Sequence, residues 1–316
     1  MEDQRIGRSA ARERSAYDDE SKCEVYWLGD AGKGQDSSVV GGKAANLSRL
    51  ASAFSVPPGF CLTGETSQVV AEANRDALLS QVEAHYRDLC SRSGDPNVAV
   101  AVRSSAIDED SADASFAGQN ETFLNIRGPE AVVASVSDCV ASFTSARAQA
   151  YREQHGLATD APRFAVLVQQ LVNADTSGVV FSLDPLGQHD DEIVINASWG
   201  LGESIVGGSV TPDNYFAEPA GHRMTRSDVS TKERMTVAIG AGTREVGVPE
   251  RLRGVACLSP VQVTATASLA CDLEQAMGWP VDAEFAWTAD QLYLLQCRPV
   301  TTAGRTTNGL DQERTA

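Results

Sequence analysis

Two periods run through the apolar positions of the chain. A period of two marks "CEVYWLGD" near the start, "VAVAVRSS" from Val98, and "RFAVLVQQLV" and "SGVVFSLDP" about a turn at Asn173–Gly178; each reads as β-strand. "EIVINASW" is a further strand, running into the Gly-rich turn and helix of "GLGESIVGG". A helical period joins Ala44, Ala45, Leu47, Leu50, Ala51 and Phe54, with Pro57 and Pro58 ending the helix. That pattern places Gly41 and Gly42 at a helix N-terminus and Lys43 in its first turn. "AVVASVSDCVASFTSARAQAYREQHG" is amphipathic helix, and residues 259–279 form another that Gly278 and Pro280 stop. Helices and hairpins are mixed without strict βαβ alternation, which predicts an α+β fold with a largely antiparallel ligand-binding half.

The last periodic stretch, "VDAEFAWTADQLYLLQCRPV" (281–300), reads as a hairpin closed by a three-residue turn at Thr288, Ala289 and Asp290. In that register Trp287 faces Gln291 and Asp282 faces Gln296. Side chains alternate along strands, so Asp282, Glu284, Gln296 and Arg298 share one face, and Val281, Ala283, Phe285, Leu295 and Cys297 share the other. Half-buried hairpins often turn charge to water, and for the hairpin taken alone a solvated face is the plainer reading. Two carboxylates, an amide and an Arg are also the parts that hold a hard divalent cation and its phosphates.

Composition narrows the choice. The chain has 316 residues, 42% of them hydrophobic, enough for two compact domains or one large α/β unit. Its net charge of -17 disfavours nucleic acid and anionic membrane as partners, so a phosphate ligand needs a local basic pocket. Seven scattered cysteines without CxxC spacing fit a reduced, cytoplasmic protein. No apolar run approaches the ~20 residues that cross a bilayer. The polar ends read as a disordered tail over 1–23 and a tail or linker over 303–316, leaving a folded body over 24–302.

Two further segments offer phosphate chemistry. Backbone N–H groups at a helix start suit an anion, and Lys43 beside them adds a charge; an ordinary surface Lys after a Gly turn is the plainer alternative. In "VAVAVRSSAIDEDSADASFAGQNETFLNI" a strand delivers Arg103 to the start of a long small-residue loop. Ser104, Ser105, Ser115, Gly118 and Thr122 could offer hydroxyls and close backbone approach to a phosphate chain, whereas Asp108, Glu109, Asp110 and Asp113 favour a plain acidic surface loop.

In order along the chain stand "GGKAANL", "VPPGF", "VRSSAIDED" with "ASFAGQNETFLN", "SGVVFSLDP", "ASWGLGESIVGG" with "TPD", and "DAEFAW" with "LLQCRPVT". Together, from about Val40 to Thr302, they resemble the ATP-binding domain of phosphoenolpyruvate synthase, pyruvate phosphate dikinase and rifampin phosphotransferase. The resemblance implies an ATP-grasp fold, with nucleotide held between two α+β lobes. It implies that Lys43 contacts the ATP phosphates and that Arg103 stabilises the transferring phosphoryl groups. Gly118 and Thr122 match the phosphate-covering loop, and Gln169, Gln170 and Leu171 the segment beside adenine. Glu284 and Gln296 are the implied magnesium ligands, with Asp282 as a further one, and Arg298 is implied to reach the phosphates. Lys43, Arg103 and Arg298 form the catalytic set, with ATP and Mg2+ as cofactors.

In that family ATP is split to AMP, and phosphate passes to a histidine on a swivelling domain. The histidines here are His85, His155, His189 and His222, and none stands in the Thr-Ser-His context of that carrier. Three readings follow. One is a component of a split phosphotransferase whose phosphohistidine carrier and downstream acceptor enzyme are separate proteins. Another is a stand-alone small-molecule kinase or ATP-dependent ligase. The third is a non-catalytic ATP-binding module.

Overall fold

The computed structural model describes residues 23–65, 75–105, 122–143, 145, 163–186 and 192–300. The chain divides into two compact units. The first comprises Met1–Glu109, Phe116–Leu171 and Ala238–Thr243, and the second comprises Asp110–Ser115, Val172–Val237 and Arg244–Ala316. Both are built of helices on antiparallel sheet, the α+β class expected from the sequence. The segments 1–22 and 301–316 lie outside the described residues.

The first unit carries a five-stranded sheet of β1 (Glu24–Trp27), β2 (Gly59–Glu65), β3 (Val100–Ser104), β4 (Thr122–Ile126) and β5 (Arg163–Gln170), in the order β1-β2-β5-β3-β4. One face is apolar. Phe60, Leu62, Val100, Val102, Phe164, Val166 and Val168 pack there with residues of α2 (Arg75–Ser93) and α3 (Pro129–Phe143). Each branched or aromatic side chain removed from water stabilises by roughly 1.5–3 kcal/mol, which holds both helices on this face. Alternation turns Cys61, Thr63, Ala101, Arg103, Leu167 and Gln169 to the opposite face, where α1 (Ser37–Leu50) lies against β2 and β5.

Helix α1 differs from expectation at its start. The chain is helical from Ser37, with Asp36 as its N-cap accepting from the Ser38 N–H at 2.9 Å, and the regular turns end at Leu50. Gly41 interrupts it with φ 73° and ψ 164°, so the Gly-Gly pair marks a break inside the helix, and a second helical segment restarts at Gly42.

The second unit carries a six-stranded antiparallel sheet. It is formed by β6 (Thr176–Phe181), β7 (Ile193–Trp199), β8 (Asp213–Ala217), β9 (Met224–Asp228), β12 (Val281–Thr288) and β13 (Gln291–Pro299), in the order β13-β12-β6-β7-β8-β9. Between them in sequence run a short helix α4 (Glu203–Val206), a ribbon of β10 (Arg234–Ala238) with β11 (Thr243–Gly247), and a short helix α5 (Glu250–Arg253). Helix α6 (Pro260–Met277) covers one sheet face. Its start is fixed by a Ser259/Gln262 capping box with Pro260 in the first turn, and its end by Gly278 at φ 77°. Gly178 was expected to end a turn but lies inside β6, opposite Phe285; a Cβ there would stand 2.6 Å from the Phe285 ring, so the missing side chain makes room for the aromatic.

Candidate functional site

The closing hairpin brings together the four polar residues expected of it, by a different route. The turn has two residues, Ala289 and Asp290, with Ala289 at φ 46° and its N–H held by the Asp175 carboxylate at 2.8 Å. Trp287 therefore faces Leu292 rather than Gln291. Carried unchanged to the far end, that register would set Gln296 and Arg298 on the face opposite Asp282 and Glu284, because a one-residue slip inverts every side chain. A register shift beyond Phe285↔Leu294 restores them: Leu295 is the extra residue, Glu284 faces Gln296, and Asp282 faces Arg298. Leu294 and Cys297, three residues apart, both end buried, and Leu295 stands in the bulge.

Asp282 and Gln296 are buried, at 8% and 7% exposure, while Glu284 and Arg298 are partly exposed. Arg298 Nε donates to Asp282 Oδ2 at 2.9 Å. Burial holds the Asp282 carboxyl above its ordinary range; the Arg298 guanidinium pulls it down and the Glu284 carboxylate adds to the rise. Two carboxylates and an amide oxygen on neighbouring strands form a hard-oxygen donor set suited to magnesium, with the remaining positions left to phosphate and water. Among the described residues no group of three His, Cys, Asp or Glu is arranged to hold a metal by itself.

The first unit assembles its own set. Arg103 pairs across the sheet with Thr122, so the two share a face, and Thr122 is exposed. Lys43, on the restarted segment of α1, donates from Nζ to the Ser104 carbonyl at 3.2 Å, which places its ammonium beside the Arg103 strand end. Gln169 is buried with Nε2 donating to the Pro57 carbonyl at 3.2 Å. Gln170 accepts from the Ser93 hydroxyl at 3.1 Å, and the Leu171 N–H donates to the Ala99 carbonyl at 2.8 Å. Gly118 and Ser115 lie outside the described residues. Ser104 and Ser105, expected to offer hydroxyls to phosphate, are both fully buried, and the Ser105 hydroxyl is engaged inside the protein. A residue's strand parity was available from sequence, but the use of its hydroxyl was not.

Residues 69–315 match a family described as the AMP/ATP-binding domain of pyruvate phosphate dikinase. The chain is 35% identical over 318 residues to a probable phosphoenolpyruvate synthase of Methanocaldococcus jannaschii, covering 88% of this chain and 27% of that protein. It is 37% identical over 321 residues to a probable phosphoenolpyruvate synthase of Methanothermobacter thermautotrophicus, covering 90% and 47%. An uncharacterized phosphotransferase of Bacillus subtilis, YvkC, is 33% identical over 299 residues, covering 89% and 35%. The chain thus spans between about a quarter and a half of the length of these relatives.

Proposed function

Because the chain belongs to the family of pyruvate phosphate dikinase AMP/ATP-binding domains, we propose that it binds magnesium ATP and cleaves it, passing phosphate to a histidine carried on a separate protein. The observation that carries this reading is the bulged hairpin, which gathers Asp282, Glu284, Gln296 and Arg298 on one face. In this reading Glu284 and Gln296 hold magnesium with Asp282 beside them, and Arg298, Lys43 and Arg103 contact the phosphates. Thr122 and Gly118 belong to the covering loop, and Gln169, Gln170 and Leu171 lie along adenine. Magnesium, when bound, neutralises charge on the phosphate oxygens.

Phosphoryl transfer asks the protein for positioning and charge more than for covalent help. Arg298 supplies a planar donor fork held through its Nε by Asp282, and its side chain keeps 41% exposure. Lys43 and Arg103 supply cations on the first unit. Charge that grows on the transferring group favours the arginines in the transition state more than in the ground state. Of the histidines, His85 packs against Trp27 and Phe60 with ring centroids 6.0 and 5.5 Å away and bonds the Gln81 carbonyl through Nδ1 at 2.8 Å. That setting suits a packing residue. No helix among the described residues is long and apolar enough to cross a membrane.

Nucleotide analysis tests the reading. The isolated chain is expected to turn magnesium ATP over slowly, and a histidine-bearing partner to restore turnover with AMP as product. Rapid ADP formation by the chain alone, with a phosphorylated small molecule, would replace the split system by a direct kinase. Absence of nucleotide binding at millimolar concentration, with the fold intact, would remove the site assignment.

A further inference from the structure

The break in α1 is closed by residues of the neighbouring strands. With Gly41 out of the helical region, the bond from the Ala44 N–H to the Val40 carbonyl is replaced by a hydroxyl inserted between them: Ser105 Oγ accepts from Ala44 N at 3.1 Å and donates to Val40 O at 2.8 Å. A side chain inserted into the helical ladder is one of the few causes of a sharp kink. The freed carbonyls are also held from β2, Val39 O by the Thr63 hydroxyl at 2.7 Å and Val40 O by the Cys61 thiol at 3.5 Å. Ser105 is itself fixed, because its N–H extends the sheet ladder to the Ala165 carbonyl at 2.9 Å. Gly41 completes the fit: a Cβ there would stand 1.8 Å from the Ser105 carbonyl oxygen.

We propose that Ser105 is a positioning residue for Lys43, its hydroxyl splicing the two segments of α1 so that the restarted helix aims the ammonium at the Arg103 strand end. Lys43 adjoins the spliced Ala44, and its Nζ already meets the carbonyl of Ser104, the residue between Arg103 and Ser105. One strand end therefore fixes both cations, Arg103 through the strand itself and Lys43 through the splice. The inference rests on the reading that Lys43 contacts the ATP phosphates, and the test separates the two.

Calorimetry on the full chain with magnesium ATP, and with adenosine as a phosphate-free probe, decides it. Ser105→Ala is expected to weaken magnesium ATP by about tenfold, the scale of one lost hydrogen bond. Adenosine affinity is expected to stay within about twofold, the scatter of independent sites. In a Lys43→Met background the serine change is expected to add nothing further. Ser105→Cys, which fills the same space with a weaker donor, carries the test if the alanine variant does not fold. Equal losses for ATP and adenosine, or the same loss with and without Lys43, overturn the positioning role. If Lys43→Met leaves magnesium ATP affinity unchanged, the phosphate assignment of Lys43 falls and the inference with it. If Lys43→Met weakens ATP and Ser105→Ala does not, the inference alone falls.

Discussion

In the second unit the ion pairs Asp213–Lys232 and Asp282–Arg298 are built in opposite ways. Asp213 and Lys232 have side chains with no exposure, and every acceptor site of the carboxylate is filled. Oδ1 accepts from Lys232 Nζ and from the Ser230 N–H at 2.8 Å; Oδ2 accepts from the Cys257 N–H at 2.9 Å and the Tyr215 hydroxyl at 3.1 Å. Lys232 spends a second donor on the Ser230 carbonyl at 2.9 Å, and the Tyr215 oxygen accepts from the Leu258 N–H at 3.1 Å. Asp282 and Arg298 meet through one bond at 2.9 Å, with the Arg side chain 41% exposed and a second carboxylate, Glu284, close enough to raise the Asp282 pKa. The Asp213 carboxylate is saturated and ties the start of β8, the approach to β10 and the approach to α6 together. The second pair is more open, and Glu284 sets a second carboxylate beside it, a setting that suits the cation and phosphates of the proposed reading. A full set of bonds inside a buried setting is what marks the Asp213 pair as structural.

Lys232→Met is the strongest way to break the comparison. Removing one partner of a buried pair leaves an uncompensated charge, so the variant is expected to lose about 3–5 kcal/mol of stability. Denaturant melts would show it; a loss below about 1 kcal/mol, the range of surface pairs, would put the two pairs in one class.

Arg298→Ala is expected to do the reverse. The Arg298 side chain is 41% exposed and the buried Asp282 carboxyl, already raised, can take up a proton, so stability should fall less than in Lys232→Met. Magnesium ATP affinity should fall by about ten- to a hundredfold, the range of charge-assisted hydrogen bonds. A melt shifted as far as that of Lys232→Met, with nucleotide affinity retained, would assign Arg298 to structure.

The smallest effect belongs to the surroundings of Asp213 at high pH. Burial pushes the Cys257 thiol far above its ordinary 9.0, and the Asp213 carboxylate pushes the same way. The unfolded thiol ionises above pH 9 while the folded one keeps its proton, so the native state binds more protons and loses stability as pH rises through that window. Comparing Tm at pH 8 and pH 10, Cys257→Ala is expected to fall less than the parent chain. Buried Cys61, pushed up to about 12, leaves a residual slope in both. Identical slopes would show that the Asp213 surroundings do not hold the thiol neutral.

Much of this molecule is legible in its residues. The alternation of the closing hairpin and the order of its motifs place Asp282, Glu284, Gln296 and Arg298 on one face before any coordinate is seen. Helix α2 is not among the elements predicted above, although Leu78, Val82, Tyr86, Leu89 and Cys90 recur at helical spacing. Tertiary structure alone decided three things. The hairpin keeps its polar face through a two-residue turn corrected by one bulged residue, a count that strand periodicity does not contain. The Gly-Gly pair before Lys43 is a break repaired by Ser105, 61 positions from the Ala44 N–H it bonds. Asp213 finds Lys232 and Cys257, 19 and 44 positions along the chain, at loop positions that no period marks. Periodicity is written residue by residue because it reflects which side of a single element meets water. Register, splices and buried ion pairs depend on where distant backbone groups arrive, and that is settled only when the elements pack.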